Sequence, residues 1–251
     1  MFGVLTQIDG LLASCVAALI STAGILTVAY FGETAEKNTS YFAAFAVGVL
    51  GVGVGLHLIP EALDTSLMSI AWVFGGFAVM VLVGMSIQLA AGSGEESAAL
   101  TFGYASIIAL AFHSFLDGAI YSASFQGQAF TGWITVSGLM LHEFPEGVIA
   151  FFLLLSAGLS KPRAIVLAFA AASLTTIAGT VAAYGLLHIT TESPPMVIMQ
   201  GGAAGALIYV LIVHLAPHAA KAPDNKGYFY AQLGVAVAIA ALIFKSMNGV
   251  H

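Results

Sequence analysis

The feature that most constrains this chain is a series of eight apolar stretches, each long enough to cross a lipid bilayer. A helix needs about 20 apolar residues to span the hydrocarbon core. The stretches are about 11–31, 40–63, 68–91, 98–124, 130–157, 163–187, 196–219 and 228–247. The segments between them are short and polar, with the composition of turns. The sequence therefore predicts an all-α membrane protein, a single transmembrane domain of eight helices over residues 1–251.

Composition agrees with this fold class and excludes several others. Hydrophobic residues make up 60% of the 251 residues, charged residues make up 7%, and the mean hydropathy is +1.01. A soluble domain carries roughly a quarter charged residues, so little of the chain is left for one. The net charge of −6 provides no basic surface for nucleic acid. The N-terminus lacks the basic region of a signal peptide, so we expect the first stretch to be retained.

The basic residues are distributed unequally between the loops. Five of the six lie after the first, fifth and seventh stretches: Lys37, Lys161, Arg163, Lys221 and Lys226. With eight spans these loops share one side of the membrane, and loops rich in lysine and arginine remain in the cytoplasm. We therefore expect both termini outside, in a protein of the plasma (inner) membrane.

Two acids, a histidine and a proline interrupt the fifth stretch in the sequence HEFPEG, residues 142–147. Residues four apart share one face of a helix, so His142 and Glu146 point the same way, and Glu143 lies one step around. Pro145 cannot donate an amide hydrogen and disturbs the carbonyl of Leu141. The segment thus combines polar side chains with a weakened helix inside the membrane.

The same construction recurs in three other stretches, where a histidine is followed four residues later by an acid or a second histidine. The copies are HLIPEA with His57 and Glu61, HSFLDG with His113 and Asp117, and HLAPHA with His214 and His218. Ionisable groups at membrane depth cost several kcal/mol each, and they line pathways or form pairs. Four copies therefore predict a functional polar site rather than isolated packing residues.

The positions of the four copies indicate internal symmetry. They lie on stretches 2, 4, 5 and 7, a set that is unchanged when the order is reversed. Gly48 precedes His57 by nine residues, as Gly205 precedes His214, and these glycines favour close helix packing. Similar motifs on oppositely directed helices are typical of an inverted repeat with a site at its interface.

The side chains of these motifs suit borderline divalent cations. Imidazole nitrogen and carboxylate oxygen, without cysteine in the motifs, favour Zn²⁺, Fe²⁺, Mn²⁺, Co²⁺ or Cd²⁺, whereas Cu(I) prefers sulfur. Ser114 and Glu143 could hold a second ion or a water. Protons or a metal must neutralise the acids in an apolar interior. Zinc commonly takes four ligands, and the fourth and fifth stretches offer His113, Asp117, His142 and Glu146.

HSFLDG and HEFPEG resemble the paired signature of the ZIP (Zrt/Irt-like) divalent-metal transporters, and HLIPEAL and YVLIVHLAPHA are also similar to that family. The likeness extends over the whole chain. It implies a ZIP fold with spans 1–3 and 6–8 around spans 4 and 5, extracellular termini and a homodimer. It also implies that metal moves toward the cytoplasm by alternating exposure of one site.

The resemblance also assigns residues. The transported divalent metal, zinc first, is the ligand that it implies, with no organic cofactor. We expect pathway or secondary metal sites on the other two motif helices, at His57, Glu61, His214 and His218. The metal site implied between the fourth and fifth stretches consists of His113, Ser114, Asp117, His142, Glu143 and Glu146.

The chain departs from the family pattern at three places. Leu116 stands where many members have proline, which predicts a straighter fourth helix. Thr176 stands where members with a two-metal centre often have glutamate, so we expect a second ion to bind weakly. The loop after the third stretch, AAGSGEESAA, contains no histidine, so we expect no metal capture there.

Two other function classes are open from the residues alone. Intramembrane metalloproteases use His-Glu-x-x-His with a distant Leu-Asp-Gly, and HEFPE together with FLDG comes near to this. Glu146 replaces the second histidine, however, and the metalloprotease mechanism needs both histidines. A passive channel for metal ions or protons is the other alternative. We expect a transporter rather than an enzyme.

Overall fold

The computed structural model describes residues 2–30, 39–92, 94–125, 129–184, 194–222 and 224–247. Within these residues the regular structure is entirely helical, and eight helices are long and apolar enough to cross a bilayer. This confirms the predicted all-α architecture and number of spans. The helices are α1 (Ile8–Tyr30), α2 (Ser40–Asp64), α3 (Ser69–Ala91), α4 (Ser97–Ser124), α5 (Thr135–Ser156), α6 (Lys161–Ala182), α7 (Pro194–Ala219) and α8 (Lys226–Phe244).

The helix boundaries lie within a few residues of the predicted ones wherever the two can be compared. Helical structure already begins at Phe2 before α1, at Glu95 before α4 and at Ala129 before α5, and it continues to Met247 after α8. The predicted ends of the first and sixth stretches, residues 31 and 187, lie outside the described residues, as does Lys37.

The helices pack mainly in four pairs: α1 with α5, α4 with α6, α2 with α8, and α3 with α7. The first two pairs also contact each other and form one group, α1–α4–α5–α6. The other two pairs form the group α2–α3–α7–α8, which meets the first mainly where α3 and α7 pack on α4. In its apolar window 82% of α5 is buried, against 11% of α3. The polar motif of α5 therefore lies at the centre of the bundle.

Each pair is joined where a glycine of one helix touches the backbone of the other. A Cβ at Gly118 would overlap the carbonyl oxygen of Thr176, and a Cβ at Gly179 would overlap that of Phe115. Only glycine permits so close an approach of two helices. The reciprocal contacts fit the expected inverted repeat, which stays a prediction. In each of the other three pairs, one glycine on each helix likewise meets the backbone of the partner helix. These glycines are Gly24 and Gly147, Gly48 and Gly234, and Gly76 and Gly205.

Within the described ranges, four helices leave the regular α-helical winding, and in α6 this happens at Phe169–Leu174, where no proline follows within the helix. In the other three the irregular segment lies just before a proline. A proline ring clashes with the carbonyl four residues earlier, and each of these three segments contains that residue. In contrast, α4 has Leu116 in place of proline and lies in one continuous α-helix, Glu95–Ser124. The first histidine of the motif in α2, α5 and α7 lies in the irregular segment, and these segments are Val54–Leu58 before Pro60, Met140–His142 before Pro145 and Val210–Leu215 before Pro217.

Candidate metal site

Four of the predicted ligands converge between α4 and α5. His113 and Asp117 on α4, with His142 and Glu146 on α5, each offer one donor atom, and these atoms lie within 4.8 Å of one another. The helical spacing of four residues brings each pair to one face, and the packing of α4 on α5 brings the two faces together. The result is a set of two nitrogen and two oxygen donors.

Asp117 lies at the centre of this set. Its Oδ2 is 3.3 Å from Nε2 of His113 and 3.2 Å from Nε2 of His142. A tetrahedral zinc ion with bonds of roughly 2.0–2.1 Å holds neighbouring donor atoms about 3.3 Å apart. These two separations already match that geometry. The other donor atoms, which lie within 4.8 Å of one another, must move closer together to bind an ion.

The set is nearly enclosed by protein. Asp117 is 2% exposed, Glu146 4% and His113 6%, whereas the His142 side chain is 26% exposed. The sequences of α4 and α5 contain no lysine or arginine to neutralise the carboxylates. Nδ1 of His113 and Oε2 of Glu146 have no hydrogen-bond partner among the described residues. Buried polar atoms are nearly always paired, so this arrangement favours a bound cation.

Ser114 and Glu143 are placed differently from the four converging ligands. The Ser114 hydroxyl donates either to Oε1 of Glu146 or to the carbonyl of Leu110. Oε1 of Glu143 accepts a hydrogen bond of 2.7 Å from the Tyr121 hydroxyl. The two residues therefore flank the four-ligand set, and their predicted role as ligands stays a prediction.

Thr176 lies on α6 against the α4 backbone. Its side chain is fully buried, and its hydroxyl donates to the carbonyl of Ala172 at 2.9 Å, one turn earlier. Its own carbonyl oxygen faces Gly118, the residue after Asp117. The hydroxyl is thus engaged within its own helix.

His57 on α2 lines a cavity together with three of the four converging ligands. The cavity has a volume of about 80 Å³ and is lined by His57, His113, His142 and Glu146 together with apolar residues of α2, α5 and α8. This is room for several water molecules. Nδ1 of His57 lies 3.1 Å from Oε2 of Glu61, whose side chain is 33% exposed. His57 therefore faces the same open space as these three ligands, and Glu61 pairs with it.

The motif of α7 has other surroundings. The ring of His218 stacks on Phe102 at 4.6 Å, and His214 meets the same ring edge-on at 5.5 Å. His214 is 9% exposed, and its Nε2 has no hydrogen-bond partner among the described residues. Neither histidine is among the residues that line the cavity. The α7 histidines therefore do not share the cavity that His57 lines.

Sequence reasoning did not identify Tyr121 as part of this region. The signal was its spacing, because Tyr121 follows Asp117 by four residues and His113 by eight, which places all three on one face of α4. In an apolar span, however, a tyrosine is most simply interpreted as a packing residue.

Eight helices of the described residues are long and apolar enough to cross a membrane, and together with the buried histidine–carboxylate cluster between α4 and α5 they define an integral membrane protein with a candidate cation site. A sequence model of the ZIP zinc transporter family matches residues 88–242, more than half of the chain. The chain therefore belongs to the ZIP zinc transporter family, as the resemblance predicted. This is a family of transport proteins rather than enzymes.

Individual relatives are similar over 45% to 77% of the chain. The zinc transporter YKE4 of Saccharomyces cerevisiae is 26% identical over 227 residues, covering 77% of this chain and 65% of that protein. Zinc transporter ZIP13 of Pongo abelii is 27% identical over 213 residues, with coverages of 76% and 62%. Zinc transporter SLC39A7 of Sus scrofa is 34% identical over 117 residues, with coverages of 45% and 22%. The chain thus spans less than two thirds of the length of each.

Proposed function

We propose that this protein transports divalent transition-metal ions, zinc first, through a site formed by His113, Asp117, His142 and Glu146. The observation that carries this proposal is the convergence of four donor atoms within 4.8 Å in the centre of the bundle. Two imidazoles and two carboxylates suit zinc and other borderline divalent cations. A dication also compensates the acids, which α4 and α5 supply with no basic side chain. Family membership and the names of the relatives support the same substrate class.

The ion moves toward the cytoplasm by alternating exposure of this site. The arrangement of the helices supports such a mechanism, because the four ligands belong to the α1–α4–α5–α6 group. The cavity beside them is also lined by residues of α2, α7 and α8, which belong to the other group. A shift of one group against the other would change which side of the membrane reaches the ligands.

The remaining motif residues serve the pathway rather than the main site. His57 lines the cavity and pairs with Glu61, and the two residues form one secondary position. His214 and His218, grouped around Phe102, form another. Each pair supplies two ligands, which suits brief contact with a passing ion better than tight retention.

Zinc uptake by the purified protein tests this proposal. In proteoliposomes that contain a trapped zinc-sensitive dye, uptake is expected to saturate with external Zn²⁺. The double substitution His214→Ala and His218→Ala should slow turnover, because the pathway position is lost, and should leave zinc bound to the purified protein.

Protein-free liposomes are the control for leakage. Uptake no faster than this control would contradict the transport function. Uptake proportional to zinc without saturation would favour the passive channel instead. Loss of all bound zinc from the double variant would show that the α7 histidines belong to the main site.

The orientation in the membrane is a separate proposal: the loops with Lys161 and Lys221 face the cytoplasm, and both termini face outside. With Cys15→Ser as background, Ser160→Cys is expected to resist an impermeant thiol reagent in intact cells. Leu67→Cys, an exposed position in the α2–α3 turn, is the matched control and should be labelled. The opposite labelling pattern would reverse the orientation.

The same experiment bears on the proposed plasma (inner) membrane location, because labelling from outside the cell requires it. If neither cysteine is labelled until the cells are opened, the protein resides in an internal membrane. The homodimer is proposed from the resemblance alone, and the native mass of the protein in lipid nanodiscs tests it.

A further inference from the structure

Glu143 is a fully buried acid outside the four-ligand set. Its side chain has no exposed surface, although it directly follows the ligand His142 in the sequence. Its Oε2 has no hydrogen-bond partner among the described residues. A buried carboxylate with a free oxygen is costly unless another group compensates it. The position of this side chain therefore needs a physical cause.

Tyr121 supplies that cause. Its hydroxyl donates a hydrogen bond of 2.7 Å to Oε1 of Glu143. Tyr121 is itself fully buried and belongs to a packed apolar cluster with Leu116 of the same helix and Phe125 directly after it. The surrounding packing leaves the ring little freedom to move, so the hydroxyl holds the Glu143 carboxylate at a defined point between α4 and α5.

The two glutamates of α5 are held by α4 in parallel ways. The hydroxyl of Ser114 faces Oε1 of Glu146, and the hydroxyl of Tyr121 faces Oε1 of Glu143. The difference lies in the neighbours, since Glu146 also converges with His113, Asp117 and His142, whereas Glu143 does not. Each hydroxyl leaves one carboxylate oxygen free.

A second ion near Glu143 would find few other ligands. The Ser114 hydroxyl has acceptors in Glu146 and Leu110, and the Thr176 hydroxyl donates to Ala172. The free Oε2 of Glu143 is then a charged donor that the four-ligand set does not use. A single carboxylate oxygen holds a dication weakly, because zinc commonly takes four protein ligands.

Resting on the proposed function, we propose that Tyr121 is a positioning residue that sets how many metal ions the centre holds. Its hydroxyl occupies Oε1 of Glu143, keeps that carboxylate out of the four-ligand set, and leaves one oxygen for a second ion. The centre therefore loads one ion tightly and a second only weakly. Without the hydroxyl both oxygens of Glu143 are free, and a second dication becomes the means of compensating the buried charge.

Equilibrium binding of Zn²⁺ to the purified full-length protein tests this proposal. Bound zinc per chain is measured by elemental analysis after dialysis against buffers of fixed free zinc. Tyr121→Phe is expected to bind its second ion at a free zinc concentration at least about tenfold lower than the unmodified protein, with the first ion unchanged. Tyr121→Leu, which also lacks the hydroxyl, should show the same gain if the phenylalanine variant does not fold.

Three matched variants separate positioning from a general structural effect. Tyr104→Phe removes a hydroxyl from the same helix and should bind zinc as the unmodified protein does. Glu143→Gln keeps an oxygen for Tyr121 but removes the charge, so it should retain the first ion and lose the second. Tyr121→Phe combined with Glu143→Gln should behave as Glu143→Gln alone.

The outcomes distinguish this inference from the proposed function. If the unmodified protein binds one ion tightly and Tyr121→Phe binds zinc identically, the role of Tyr121 is wrong and the transport site stands. A gain that persists in the double variant, or loss of the first ion in Glu143→Gln, also overturns the inference. If the unmodified protein binds no zinc, the proposed function fails first.

Discussion

Asp117→Asn is expected to abolish saturable zinc uptake, lowering it at least about a hundredfold, to the level of protein-free liposomes. Loss of a residue that only orients a metal ligand already lowers metal affinity or activity by up to about 100-fold. Asp117 is itself one of the four proposed ligands. Its Oδ2 is 3.2–3.3 Å from Nε2 of both His113 and His142. Asparagine keeps the size of the side chain but removes the negative charge that lies between the two imidazoles.

The matched control for this change is Asp64→Asn. Asp64 is exposed at the end of α2, so the same chemical substitution should leave uptake unaltered. Both variants are compared at equal amounts of folded protein, judged by size-exclusion profile and melting temperature. Normal half-saturation and turnover in Asp117→Asn would show that the ion does not pass through this site.

Gly118→Ala is expected to destabilise the folded protein by about 3 kcal/mol, at the upper end of the usual cost of overpacking. The new Cβ would overlap the carbonyl oxygen of Thr176, a backbone atom that cannot rotate away. The helices α4 and α6 must then move apart. For a chain of this size the melting temperature should fall by roughly 6–12 °C, as measured by thermal denaturation in detergent.

Gly51→Ala is the control for introducing alanine into a membrane helix. A Cβ at Gly51 would meet no atom within 4 Å, so its melting temperature should remain unchanged or rise slightly. Gly179→Ala should behave like Gly118→Ala. Gly179 lies on α6, and a Cβ there would overlap the carbonyl oxygen of Phe115 on α4. An unchanged melting temperature in both variants would contradict the close contact of α4 and α6.

The architecture was predictable because the membrane leaves a chain few alternatives. Apolar stretches of about 20 residues must form helices in lipid, where every backbone polar group needs an internal partner. The irregular winding before Pro60, Pro145 and Pro217 also follows from a local clash, which the positions of the prolines predict. These inferences need only residues that lie close together along the chain.

The candidate site was predictable in part. Helical spacing alone places His113 with Asp117 and His142 with Glu146, and the structure brings these two pairs together. Spacing did not show that the Tyr121 hydroxyl meets Glu143, 22 positions away. It also did not show that His57 lines the central cavity whereas His214 packs against Phe102.

By itself, the sequence of this protein determined the eight spans, the faces that carry its polar residues and the donor chemistry of its candidate site. Each of these depends on hydropathy or on residues within one turn of a helix. Only the tertiary structure decided which helices pair, which four donors converge and which acid a hydroxyl holds apart. These outcomes depend on where two helices cross. A glycine such as Gly118 permits a close crossing but does not specify the partner helix. The partner is determined only by the packing of the whole bundle.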